Sequence, residues 1–409
     1  MHEPEFLPGG ALPDAPLLAR RGPHAVGVTT REFTLDDVPD LSMEPPGRGP
    51  RTLTAEIWYP AAGSPEERCT YGDRLGRDPG DPDRPDTAFR FAGRAARDAR
   101  PERRRGSLVL VSHGYPGSRV LLSYLCEHLA SCGRVVMALD HPGSVHGRLG
   151  PFSETLLHRS TDIIGGLEAA AELDRHDSLL GGHIDAESAV LIGYSMGGYG
   201  VLNVAGMGYS RRFVEHPRAV PGGLLAPRGM EAEDYRADPR VRAVVAFAPW
   251  GGQHGVWDEA GMAGLAVPTL FVAGSDDDVV GWDPGVRSLF AGATGCERAL
   301  LVHQLARHNI APNPAPPAAL THPADFAHYA EPLWDTRRLD NINQHFVRAF
   351  LERHLDGIES PALDLIPLAA DGGYEMLTDG DPVAGPDHWW GFPPRTAIGL
   401  EFHRLGPGS

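Results

Sequence analysis

The sequence predicts an α/β protein with a mostly parallel central sheet and helices on both faces. Three observations carry that expectation. From residue 107 onward, short apolar runs alternate with stretches of helical periodicity, the pattern of right-handed strand–helix–strand crossovers. The apolar run Ala189-Val190-Leu191-Ile192 leads straight into Gly193-Tyr194-Ser195-Met196-Gly197, and Met196 to Met207 is small and apolar enough for a buried helix. Two later apolar runs end in loops rich in chemistry, one acidic and one carrying a histidine.

In chain order, residues 1–25 are Pro-rich and read as a loose arm. Ala25 to Phe33 and Arg51 to Tyr59 predict two strands, an antiparallel start to the sheet. Residues 62–106 hold many Arg, Asp, Pro and Gly and few apolar residues, which predicts a mobile surface insertion. Strands follow near 107–112, 134–139, 188–194, 241–248, 269–273 and 298–303. Helices fall near 119–132, 155–174, 196–207, 284–292 and 336–354. The last carries Leu339, Ile342, Phe346, Phe350 and Leu351 close to one helical face. Residues 207–240 separate the helix after Ser195 from the next strand and read as a small lid. The Pro-rich segment 311–335 is expected as an ordered loop beside His308. Residues 1–355 then form one domain, with 356–409 an extension packed on it that adds a small strand pair.

The five residues around Ser195 match a nucleophile elbow, a sharp strand-to-helix turn that presents a serine hydroxyl. With 50 glycines in 409 residues the pattern alone is weak, and its context gives it weight. The glycines have a steric role, because strand and helix come too close for a Cβ. A serine needs a base, and the base needs an orienting acid. Leu270-Phe271-Val272-Ala273 is a strand-like run that ends in Gly274-Ser275-Asp276-Asp277-Asp278, so an acid here sits at the carboxyl end of a strand. Ala299-Leu300-Leu301-Val302 is followed by Arg307-His308-Asn309, which places His308 just past the next strand. His303 lies inside that run and reads as a core or edge residue. Acyl transfer also needs donors for the developing oxyanion. The N–H of Met196, after the serine, is one. The other comes from the loop His113-Gly114-Tyr115-Pro116-Gly117, with Tyr115 favoured, since Pro116 has no N–H.

Ile57-Trp58-Tyr59-Pro60, Ser112-His113-Gly114-Tyr115, Ala138-Leu139-Asp140-His141-Pro142-Gly143, Gly193 to Gly198 and Ala306-Arg307-His308-Asn309 together resemble the α/β-hydrolase superfamily. Within it, the chain is similar to the branch of dienelactone hydrolase-like, platelet-activating-factor acetylhydrolase-like and cutinase-like proteins. The resemblance spans roughly residues 25 to 350 and implies an α/β-hydrolase fold. It places the triad on Ser195, Asp277 and His308 and the oxyanion donors on Tyr115 and Met196. Asp277 is preferred over Asp276 and Asp278 because it stands three residues past Gly274, the family's usual spacing. Segments 62–106 and 207–240 have no counterpart in that pattern.

Other residues are weaker candidates. His113, His141 and His146 lack metal-ligand spacing, and His113 and His141 are expected to hydrogen-bond loop backbone under the site. Neither a metal nor another cofactor is expected. Trp250 follows an apolar run and its Pro249, where it can line a substrate pocket. Trp389 and Trp390 read as pins for the tail. The net charge of −17 argues against nucleic acid and anionic membranes. No apolar stretch is long enough to span a bilayer. The first residues lack a basic start and an apolar core, so a cytoplasmic location is expected. Cys69, Cys126, Cys132 and Cys296 have no Cys-x-x-Cys spacing and are expected as free thiols. The sequence thus predicts a serine esterase acting on a small-molecule ester. An amidase, lactonase or polyester hydrolase with the same residues, or a non-catalytic binding protein on the same fold, is the alternative.

Overall fold

A computed structural model describes residues 6–42, 45–63, 67–76, 86–216, 219–225, 236–365, 374–376, 382–384 and 388–409. Ten strands form the main sheet: β1 (Ala25–Asp40), β2 (Gly47–Ala61), β3 (Ala96–Arg97), β4 (Gly106–Ser112), β5 (Val135–Asp140), β6 (Ile184–Tyr194), β7 (Val241–Phe247), β8 (Thr269–Gly274), β9 (Arg298–His303) and β10 (Leu400–Leu405). Their spatial order is β10-β9-β8-β7-β6-β4-β5-β2-β1-β3. The six strands from β9 to β5 run parallel. β2 pairs antiparallel with both β5 and β1, as the two early apolar runs predict. Four longer helices are α1 (Ser123–Ser131), α2 (Phe152–His176), α3 (Met196–Val204) and α4 (Thr336–Asp356).

The central strands are continuous apolar runs because both of their faces are covered. Leu108 to Val111, Ala189 to Ile192, Ala243 to Phe247 and Leu270 to Ala273 are all buried. A parallel sheet with crossover helices brings the carboxyl ends of its strands to one rim, and the loops there are free to carry chemistry. The loops after β4, β6, β8 and β9 all leave from that rim. This is the α/β architecture expected from the alternating pattern. Among the described residues, no helix is long and apolar enough to cross a membrane.

Three segments differ from the sequence expectation. Residues 62–106 are not simply a surface insertion. Thr70–Leu75 and Thr87–Ala92 form an antiparallel hairpin, and β3 pairs with β1. Their few apolar side chains alternate, so one face of the hairpin is apolar despite the polar composition. Cys69, Tyr71, Leu75 and Phe91 are buried there, and Tyr71 Oη bridges Trp58 Nε1 (2.6 Å) and Glu127 Oε1 (2.7 Å). Residues 77–85 lie outside the described residues. The tail does more than form the small strand pair Tyr374–Met376 with Pro382–Ala384. Its last strand, β10, extends the main sheet antiparallel to β9, and Trp389 is buried against Phe346 and Phe402. In 207–240, Tyr209, Val214, Val220 and Leu225 are buried in the core, while 217–218 and 226–235 lie outside the described residues. All four cysteines are free.

Candidate active site

Ser195 stands between β6 and α3 with φ 53° and ψ −113°, a conformation a side chain adopts only when its surroundings impose it. The surroundings are packed too tightly for anything but glycine on either side. A Cβ on Gly193 would stand 2.3 Å from the carbonyl oxygen of Gly197, and one on Gly197 would stand 1.9 Å from that of Ser112. The turn is locked by Ser195 N–H donating to Phe247 O (2.9 Å) and by Trp250 N–H donating to Ser195 O (3.0 Å).

His308 Nε2 lies 3.0 Å from Ser195 Oγ, and His308 Nδ1 lies 2.8 Å from Asp277 Oδ2. All three residues are buried. The other carboxylate oxygen, Asp277 Oδ1, accepts the N–H groups of Val279 and Val280, both at 2.9 Å. Burial pushes the Asp277 carboxyl up. The hydrogen bond and charge of His308, together with those two amides, outweigh burial and hold it below the usual carboxylate range. Asp276 and Asp278 are exposed and face Arg307 instead. The loops after β8 and β9 are tied to each other: Ser275 N–H donates to His303 O, Asp276 N–H to Ala306 O, and Leu305 N–H to Ser275 Oγ. That stitching carries Asp277 to His308. His303 is buried at the end of β9 and bonds Asn343.

Two supports of His308 had no legible signal in the sequence. Glu331 accepts the N–H groups of both Arg307 (2.7 Å) and Asn309 (2.8 Å). Tyr194 lays its ring beside the imidazole, with centroids 5.3 Å apart, and its hydroxyl donates to His308 O at 3.3 Å. A glutamate in a Pro-rich loop and the residue before a nucleophile look unremarkable in one dimension.

Met196 opens α3, where the first N–H groups of a helix have no intrahelical acceptor. The loop 113–115 lies against the serine: a Cβ on Gly114 would stand 3.3 Å from Ser195 Cβ. The Tyr115 N–H donates to no other group among the described residues. Both amides belong to backbone that borders the serine.

The serine opens into a cleft of about 690 Å³ whose lining includes Tyr115, Tyr194, Val279, His308, Phe326 and Glu331. Residues of 326–332 make up much of its lining. The described residues of 207–240 do not line it. Trp250 is not part of this lining either. Its ring packs on Phe152 of α2, Tyr199 of α3 and His254. It meets the cleft only through Phe152, which packs edge-on against Tyr115 (5.2 Å).

No family model matches the chain, and no curated protein matches it significantly. Its fold is that of a solved esterase. The ferulic acid esterase from Streptomyces cinnamoneus superposes with a TM-score of 0.55 at 20% identity, over 85% of this chain and 96% of that one. The likeness bears on the fold alone, and with the ten-stranded, mostly parallel sheet it shows an α/β fold of the α/β-hydrolase type. The finer resemblance to dienelactone hydrolase-like proteins is neither added to nor removed by it.

Proposed function

We propose that this protein is a carboxylic ester hydrolase that works by two-step acyl transfer through an acyl-Ser195 intermediate. The observation that carries the reading is the unbroken hydrogen-bond chain Ser195 Oγ–His308–Asp277 at the mouth of the cleft. In this reading His308 Nε2 takes the Ser195 proton as Oγ attacks the ester carbonyl. Asp277 keeps the other imidazole proton on Nδ1 and stabilises the cation that forms. The oxyanion rests on the N–H groups of Met196 and Tyr115, and His308 then protonates the departing alcohol. Water enters, gives its proton to His308, and releases the acid by the same path. The esterase named among the solved structures of this fold supports the same chemistry on this scaffold.

Tyr115, Tyr194 and Phe326 line the cleft beside the serine, which favours an ester bearing a flat apolar group. The deciding experiment is Ser195→Ala. Ester cleavage and labelling by a fluorophosphonate probe are both expected to disappear, with kcat down by about 10⁶-fold. A variant that still hydrolyses esters at the parent rate would end this reading.

A further inference from the structure

Beneath the serine lies a second hydrogen-bonded array, separate from the Ser195–His308–Asp277 chain. It runs Arg51–Asp162–His141–Ser112 and reaches His113. Arg51, on β2, donates from Nε and Nη2 to the two oxygens of Asp162 at 2.7 and 2.9 Å. Asp162 Oδ2 is 3.0 Å from His141 Nδ1, and His141 Nε2 is 2.8 Å from Ser112 Oγ. Ser112, His113, His141 and Asp162 are all fully buried, so no substrate reaches this serine. The array does touch the loop that holds the candidate oxyanion donor.

Two contacts fix the state of His113. The backbone N–H of His141 points at His113 Nε2 (3.2 Å), and His113 Nδ1 is 2.7 Å from the carbonyl of Gly114. A backbone N–H can only donate, so Nε2 must present its lone pair. The carbonyl can only accept, so the proton is on Nδ1. The ring is therefore neutral, in one tautomer. Gly114 O belongs to the same peptide as the Tyr115 N–H. In a trans peptide the two point in opposite directions, so anchoring the carbonyl on His113 aims the N–H away from it. The preceding peptide is anchored as well, because Arg159 Nη1 donates to His113 O at 2.6 Å. A peptide whose carbonyl is hydrogen-bonded is also polarised and becomes a better donor.

We propose that His113 is a positioning residue that aims and polarises the Tyr115 N–H toward the oxyanion, and that Arg51, Asp162 and His141 exist to hold His113 in its Nδ1–H tautomer. This rests on the ester-hydrolase reading for its effect on rate, but not for the tautomer itself. Burial and the cation of Arg159 act in the same direction, keeping His113 far below the usual histidine range.

The tautomer is readable in the wild-type protein by long-range ¹H–¹⁵N spectra of the imidazoles, with His113 assigned through the resonance lost in His113→Asn. A neutral Nδ1–H ring that does not titrate between about pH 5 and 8 is expected. An Nε2–H ring, or one that protonates in that window, overturns the proposal. The kinetic test compares His113→Leu with His113→Asn, since an Asn amide can replace the Nδ1–H donor. For Leu, kcat on a p-nitrophenyl ester falls by about 10- to 100-fold with KM nearly unchanged, less than deleting a whole oxyanion donor costs. Asn recovers most of that loss. Equal impairment of the two variants, or a change confined to KM, counts against the proposal. Failure of fluorophosphonate to label Ser195 strikes the ester-hydrolase reading instead. An Nε2–H His113 in an enzyme that labels strikes this inference alone.

Discussion

Glu331 grips the backbone on both sides of His308. Its two oxygens accept the N–H groups of Arg307 and Asn309 at 2.7 and 2.8 Å, so the imidazole hangs from a segment pinned at each end. Burial pushes the Glu331 carboxyl above its ordinary range in spite of those two bonds. In the ester-hydrolase reading, the base is therefore held in place from the Pro-rich segment and not only by Asp277. Glu331→Ala leaves two partly buried amides without an acceptor, at about 1–3 kcal/mol each. We expect a lower melting temperature and a fall in kcat of about tenfold, with KM little changed. Glu331→Gln retains one acceptor oxygen and falls between Ala and the parent. Steady-state kinetics with a melting curve check both.

The three consecutive aspartates separate cleanly by environment. Asp277 is buried and bonded to His308, whereas Asp276 and Asp278 are exposed beside Arg307. Exposed ion pairs of that kind contribute little. Asp276→Asn and Asp278→Asn should keep kcat within about twofold of the parent. Asp277→Asn should lose about 10³- to 10⁴-fold, because an amide can hold His308 in the wrong tautomer. A large loss at either neighbour would reassign the acid.

The same carboxyl gives a pH dependence with a definite sign. Its pKa in the folded chain lies below that in the unfolded chain. The unfolded chain therefore takes up the proton first, and Asp277 contributes stability that is complete above its unfolded pKa of about 4. That contribution is lost as pH falls through the lower, folded value. The melting temperature of the parent minus that of Asp277→Asn should therefore shrink as the pH falls below about 4. A difference that does not shrink once the pH is below about 4 would contradict the assignment.

Where the sequence was legible, it was through local patterns that the fold obeys. The elbow could be read because Gly193 and Gly197 answer a contact within a few residues of Ser195 and one with β4, and no other residue fits. The strands before Asp277 and His308 could be read because a parallel sheet buries both faces of each strand. The choice of Asp277 among three aspartates came from spacing alone. Its geometric basis is the pairing of the β8 and β9 loops, which is long-range. Glu331 and Arg159 were invisible for the same reason, since each acts on backbone far from it in sequence. The pairing of Thr70–Leu75 with Thr87–Ala92 is hidden in the composition, because it rests on the alternation of a few apolar residues. Tyr71, Leu75 and Phe91 are few, but they all face inward.

Gly197 offers a test of the elbow that leaves every polar group in place. A Cβ there would stand 1.9 Å from the carbonyl oxygen of Ser112, and that backbone cannot move without moving His113 and Gly114. Gly197→Ala is expected to destabilise the fold by a few kcal/mol, or to fold with the oxyanion loop displaced and kcat sharply reduced. Full activity at parent stability would mean that α3 and β4 are further apart than this packing.

Phe152 tests what the cleft selects. It is 36% exposed, opens α2, and packs edge-on to both Tyr115 (5.2 Å) and Trp250 (5.4 Å). It touches none of Ser195, Asp277 and His308 through a hydrogen bond or ring contact, so its removal should spare the chemical step. Phe152 backs the Tyr115 ring that lines the cleft, so in Phe152→Ala an aryl-bearing ester loses the ~0.5–1.5 kcal/mol of a ring contact with a fixed Tyr115, whereas an acetate ester loses almost nothing. KM for p-nitrophenyl esters of aromatic acids should therefore rise by about three- to tenfold, with kcat and the acetate KM nearly constant. The same panel, run with matching anilides, separates ester from amide cleavage. A uniform rise in KM across aliphatic and aromatic acids would show that Phe152 shapes the rim without reading the substrate.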